Sequence, residues 1–103
     1  MSMFSRTIIV LSTVTLMGAA GNAIAFTGEN LARDASITIQ EARKIALSVH
    51  PGKIVDEELE HETGGSDLRY SFVIQDRKER REVGVDANTG EILENQPEGP
   101  HAD

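Results

Sequence analysis

The sequence predicts an α+β domain: one N-terminal helix packed on an antiparallel meander sheet of three to four strands. Three observations predict it. A capped segment of period 3.6 comes first, and a Pro-Gly pair stops it. Segments of period two follow, joined by short polar turns that leave no room for the crossover parallel strands require. Each of these segments has one apolar and one polar face, so the helix is expected to cover a single side of the sheet.

Residues 1–25 stand apart from this domain. Arg6 is the one charge before Glu29. The apolar run Ile8-Ile9-Val10-Leu11 continues through Val14, Leu16 and Met17 into Gly18-Ala19-Ala20-Gly21, and then Ala23-Ile24-Ala25. A positive start, a short apolar stretch and a small-x-small ending are the parts of a secretory signal peptide. Small side chains at Ala23 and Ala25 place the cut between Ala25 and Phe26. The strongly apolar part is about half the ~20 residues of a spanning helix, which disfavours a membrane anchor. With no cysteine in the chain a lipoprotein anchor is excluded. The expected compartment is therefore periplasmic or secreted. Removing residues 1–25 leaves 78 residues, with nine basic side chains against 17 acidic ones and a net charge of −8.

Residues 26–36 are small and polar with no clear period and read as a flexible leader, unless Phe26 or Leu31 docks on the domain. Thr38-Ile39-Gln40-Glu41 has the form of a capping box, with Ile37 at the staple position. Ala42, Ile45, Ala46 and Val49 then fall on one stripe of a helix over 39–50. Pro51-Gly52 ends it, since the residue before a proline is pushed out of the helical region.

After Gly52 the period changes to two. Val55 and Leu59 are placed on one face of a first strand. Thr63-Gly64-Gly65-Ser66-Asp67 is a turn. Leu68, Tyr70, Phe72 and Ile74 alternate with polar residues in a half-buried strand. A charged turn over 76–79 leads to Val83 and Val85, and Asp86-Ala87-Asn88-Thr89-Gly90 turns into a last strand at Ile92-Leu93. The domain is bounded at 37–95, and Gln96 to Asp103, with two prolines and a glycine, read as a disordered tail.

Composition removes several functions. Without cysteine there is no disulfide framework, thiolate metal site or cysteine nucleophile. A chain carrying 17 acidic and 10 basic residues is a poor sequence-independent nucleic-acid binder, since neutralising phosphates takes Lys and Arg. No serine sits in a glycine-flanked elbow, and no carboxylate pair has a context that marks it as catalytic. The chain is read as not an enzyme and as needing no cofactor. Its small core leaves a domain of about sixty residues marginal alone, which favours a role in docking.

Four features remain as sites. Alternation puts Asp56, Glu58, Glu60 and Glu62 on one side of the first strand, where they attract a basic partner or a cation, or simply guard an edge. Arg77-Lys78-Glu79-Arg80-Arg81 forms a basic hairpin tip, either a contact for an acidic partner or lipid or a solvated turn. Asp86-Ala87-Asn88-Thr89-Gly90 has the wrong spacing for a calcium loop and reads as a turn in which Asp86 and Asn88 bond the backbone. His50, His61 and His101 are scattered and lack zinc spacing. The partner-contact residues expected are Glu58, Glu60 and, from the polar face of the next strand, Arg69. The alternative is an exported cation- or small-ligand-binding protein that uses the acidic strand 56–62.

Ile37-Thr38-Ile39-Gln40-Glu41-Ala42 with Ile45-Ala46, Pro51-Gly52-Lys53-Ile54-Val55, Leu59-Glu60, Tyr70-Ser71-Phe72-Val73-Ile74 and Val83-Gly84-Val85-Asp86 together form a pattern that resembles the PepSY domain family. Its most specific piece is Asp86-Ala87-Asn88-Thr89-Gly90-Glu91-Ile92-Leu93, and it spans about residues 37–93. It implies a module of the kind found in propeptides of secreted thermolysin-like metallopeptidases, in sporulation and membrane proteins, and as small exported proteins. The role proposed for such modules is to bind a peptidase and restrain it, and the family brings no catalytic residues. Glu57 departs from the family pattern, in which its position is usually apolar or small. Either the strand is an edge where Glu57 reaches water, or that face is partly open.

Overall fold

The computed structural model describes residues 25–99. The apolar stretch read as a signal peptide lies outside them, up to residue 24. Helix α1 runs Ile39–Val49, and both halves of its capping box form. Glu41 N donates to Thr38 Oγ1 at 3.1 Å and Thr38 N donates to Glu41 Oε1 at 2.8 Å, an arrangement that stabilises a helix by about 1 kcal/mol. His50, in extended backbone, caps the other end ahead of Pro51. Ile39, Ala42 and Ala46 are the buried residues of α1. Val49, placed on the stripe by the periodicity, is 41% exposed. The stripe facing the sheet begins one step earlier, at Ile39, and ends at Ala46, which leaves Val49 at its margin.

Strands β1 (Lys53–His61), β2 (Leu68–Gln75), β3 (Arg80–Asp86) and β4 (Ile92–Pro97) pair in sequence order, all antiparallel. The meander is the one the short turns predict. Helix α1 packs over the two central strands. Beneath it lie Leu68, Tyr70, Phe72 and Ile74 of β2, Val83 and Val85 of β3, and Leu59 of β1, all buried. Two fully buried alanines on the helix let it approach this layer closely. The Tyr70 and Phe72 rings stack with centroids 6.4 Å apart, and Tyr70 Oη donates to Ile37 O at 2.9 Å. That bond, with Ser36 N and Ile37 N both donating to Ala87 O, fixes where the chain enters the helix.

The face of β1 differs from the period-two expectation. The register slips between Ile54 and Asp56, so Ile54 pairs with Ile74 and Leu59 with Tyr70, while Val55 is left over. One inserted residue reverses which side chains face the core. Ile54 therefore packs on the core, and Val55 is 38% exposed.

Glu57, opposite Phe72, faces the helix side. The face is partly open here, since Glu57 and Arg43 of α1 line a cleft with Phe26 and Ile54, and Arg43 meets the carboxylate at its edge. Arg43 Nε and Nη2 donate to the two carboxylate oxygens at 2.7 and 2.8 Å. The bond to Glu57 raises the guanidinium pKa against the effect of burial. A double-mutant cycle with Arg43→Met and Glu57→Gln is expected to give a coupling of about 1 kcal/mol in urea unfolding, the upper range for a bidentate surface pair. Additive single effects would contradict it.

The ends of the domain are more ordered than their composition suggests. Residues 26–36, read as a flexible leader, contain a 3₁₀ helix over Glu29–Asp34 and lie against the domain. The Phe26 ring meets that of Tyr70 at 6.3 Å, which is the docking the composition left open. At the other end β4 continues through Gln96 and Pro97, residues assigned to a disordered tail. Pro97 pairs with Arg81 on an edge strand, where a missing N–H is tolerated. Residues 100–103, including His101, lie outside the described residues.

Candidate partner-binding site

The face of the sheet away from α1 carries the expected contact residues. In β1 it presents Asp56, Glu58 and Glu60, opposite Val73, Ser71 and Arg69 of β2. Glu82 of β3 pairs with Val73, and Gly84 with Ser71. Glu94 of β4 pairs with Gly84. Alternation thus collects carboxylates from three strands on one side. The sequence reading found only those of β1, because Glu82 and Glu94 are far apart in the chain and only the register sets them near the others.

These carboxylates are crowded. Glu60 Oε2 accepts from Ser71 Oγ at 2.9 Å. Burial, and then the neighbouring Glu58 carboxyl, push the Glu60 carboxyl above its usual range, against the opposing effect of the Ser71 hydroxyl. Glu82 is also pushed up, by burial and then by the charges of Glu94, Glu60, Glu62 and Glu98. Like charges this close destabilise the face.

Arg69 sits within this group rather than on top of it. It is only 6% exposed. Nη1 lies 3.3 Å from Glu94 and 3.5 Å from Glu62, and Nη2 donates to Thr63 O at 3.2 Å. Its Nε is buried with no hydrogen-bond partner among the described residues. The stem lies over Gly84, where an added Cβ would come within 2.9 Å of Arg69 Cδ and 3.2 Å of Glu94 Cβ. Glu58 and Glu60 are half-buried. The three expected contacts are therefore neighbours, but the two glutamates are presented and the arginine is packed beneath.

The other candidate features resolve into the fold. In the basic hairpin, Arg81 Nη1 donates to Glu79 at 2.9 Å and Nε to Asn95 Oδ1 at 2.7 Å. The cluster is thus partly paired within the hairpin and with β4, while Arg77, Lys78 and Arg80 are exposed. His50 Nε2 lies 2.7 Å from Asp76 Oδ2 and ties the end of α1 to the β2–β3 turn. His61 is exposed on β1. Asp86 accepts from the amides of Asn88 and Thr89, as the turn reading expects, and Gly90 has φ +81°. Its carboxylate also reaches Ser66, which the sequence did not indicate. Among the described residues no three His, Cys, Asp or Glu side chains are grouped to hold a metal ion, and no helix is long and apolar enough to cross a membrane.

The family described as "Peptidase propeptide and YPEB domain", PepSY, matches residues 36–95. That span takes in α1, β1, β2, β3 and the first four of the six residues of β4. The chain belongs to the PepSY family. No curated protein and no solved structure matches it. The PepSY unit here is the helix and its sheet. The docked segment 26–35 lies ahead of it, and the acidic outer face lies within it.

Proposed function

We propose that this chain is an exported, non-enzymatic PepSY module that docks on an extracytoplasmic peptidase and inhibits or otherwise regulates it. The observation that carries this reading is the match to a peptidase-propeptide family across the helix and into all four strands of the sheet. The outer face supports it, because a row of half-buried carboxylates is suited to a basic surface on a partner. Glu58 and Glu60 are the contact residues, and Arg69 serves the contact by holding neighbouring carboxylates in place. The signal-peptide reading supports export. Cleavage before Phe26 leaves an α-amino group where Phe26 N already donates to Glu29 Oε1 at 3.3 Å.

The test is affinity capture. Residues 26–103 are immobilised, exposed to the cognate extracytoplasmic fraction at low salt, and the retained proteins identified by mass spectrometry. Capture of a peptidase whose activity changes on adding free domain supports the reading, and specific retention of none contradicts it. Glu58→Lys with Glu60→Lys is expected to weaken capture about tenfold or more. The melting temperature should stay within a few degrees, since relief of the like-charge crowding offsets the lost Ser71 bond. Unchanged capture would remove these two residues from the contact.

A further inference from the structure

The segment ahead of the family-matched span is engaged with one particular strand. β1 is an edge strand whose sheet neighbour is β2. Its outer edge is met by residues 26–34 of the same chain. Thr27 forms a parallel bridge with Glu58, and Leu59 N donates to Thr27 O at 2.8 Å. The 3₁₀ helix then lies along the same strand. Gly28 makes the bend with φ +82°, so close to β1 that a Cβ would overlap the Leu59 carbonyl oxygen. Toward Lys53, the strand borders an open cleft of about 700 Å³, lined by Phe26, Arg43 and residues 54–57.

The grip of this segment is slight. No residue of its 3₁₀ helix is buried, and Phe26 and Leu31 are only partly so. Segments with few buried contacts open at low local free energy. It meets, at Glu58 and Leu59, the edge of a nine-residue strand, which is long for an edge.

We propose that residues 26–35 are a displaceable strap over the outer edge of β1, and that an extended basic segment of the partner replaces it as a fifth strand. This rests on the protein-binding reading above and adds to it the mode of binding and the chemistry of the segment. An added strand sets its alternate side chains beside Asp56, Glu58 and Glu60. Lys or Arg at every second position meets those carboxylates. A second copy fits poorly, since two β1 edges would bring these same acidic residues together.

The probe is an end-blocked nonapeptide alternating Lys and Val. Its controls are the same peptide with Glu for Lys, and one N-methylated at alternate residues, which keeps the charge but cannot pair along an edge. Thr27→Cys with Glu58→Cys pins the strap when oxidised, and the chain has no cysteine of its own to interfere. The reduced form of that variant controls for the loss of Glu58. Gly28→Val dislodges the strap. The reduced form is expected to bind the Lys peptide, the oxidised form to lose at least tenfold in affinity, and Gly28→Val to bind at least fivefold tighter than the unaltered protein. Amide exchange at Leu59 should quicken in Gly28→Val while Phe72 and Val83 stay protected, which shows the sheet intact.

Equal binding by the oxidised and reduced forms overturns the inference, as does equal binding of the N-methylated peptide. So does self-association of Gly28→Val in place of peptide binding, or the absence of binding to every form. Capture of a peptidase by the oxidised form would overturn the strap and leave the peptidase reading standing. Strap-dependent peptide binding without peptidase capture would do the reverse.

Discussion

Asp86→Ala is expected to destabilise the domain by about 3 kcal/mol, a fall in melting temperature of roughly 15 °C for a domain this small. Asp86 is fully buried at the end of β3. Its carboxylate accepts from Ser66 N at 2.6 Å, Ser66 Oγ at 2.9 Å, Asn88 N at 2.8 Å and Thr89 N at 3.1 Å. Two turns twenty residues apart in sequence are thereby tied to one side chain. Gly65 makes room for it, since a Cβ there would overlap Asp86 Oδ2. Alanine removes at once four charge-assisted hydrogen bonds from donors in two part-buried turns. Asp86→Asn keeps the shape and part of the bonding and is expected to lose about half as much.

The same residue makes stability depend on acid. Burial alone raises the Asp86 carboxyl, but the Ser66 and Asn88 amides, the Ser66 hydroxyl and the Thr89 amide outweigh it and hold it at about 2, down from 3.8. The unfolded chain takes up this proton near 3.8 and the folded one only near 2. The contribution is thus fully present above about pH 4 and is lost as pH falls toward 2. Asp76, held low by the amides of Glu79 and Lys78, acts in the same sense. Glu60 and Glu82, whose carboxyls are raised, act in the opposite one. The difference between the wild type and Asp86→Asn isolates the Asp86 part. Melting curves from pH 5 to pH 2 should converge for the two proteins, and parallel curves would contradict the assignment.

What could be read from the sequence follows the range of the interaction. The capping box needs only Thr38 and Glu41, three residues apart, and it is present as written. Alternation over Leu68 to Ile74 needs one strand and also holds. The bulge at Val55 does not announce itself, because a slip of one residue depends on how β1 meets β2. The docked segment 26–36 offers two large apolar residues, Phe26 and Leu31, too few to form a period, and its bond to Leu59 is backbone to backbone. The turn role of Asp86 is local and legible, whereas its bond to Ser66 is neither. For the outer face, alternation gave Glu58, Glu60 and Arg69 a common side. It could not give Arg69's depth, which depends on Gly84 lying beside it across the sheet.

That depth sets the second large effect. Arg69→Met is expected to cost about 2 kcal/mol at neutral pH, below the range for breaking a fully buried pair because its carboxylate partners are partly exposed. Methionine keeps much of the stem over Gly84, so the loss is chiefly of charge. Without the guanidinium, Glu94 and Glu62 lose their cation, and the repulsion already felt by Glu82 grows. Carboxyls raised in the folded state favour folding as they take up protons, so the deficit should narrow as pH falls from 7 toward 5. Removing a second charge should act like removing the proton deficit. Glu94→Gln in the Arg69→Met background is expected to return about 1 kcal/mol, whereas alone it should destabilise by breaking the pair. A residue that served only as a partner contact would show none of this. It would lower capture at an unchanged melting temperature, with no dependence on pH and no rescue by Glu94→Gln. That outcome would lift Arg69 out of the sheet's internal electrostatics and place it with Glu58 and Glu60.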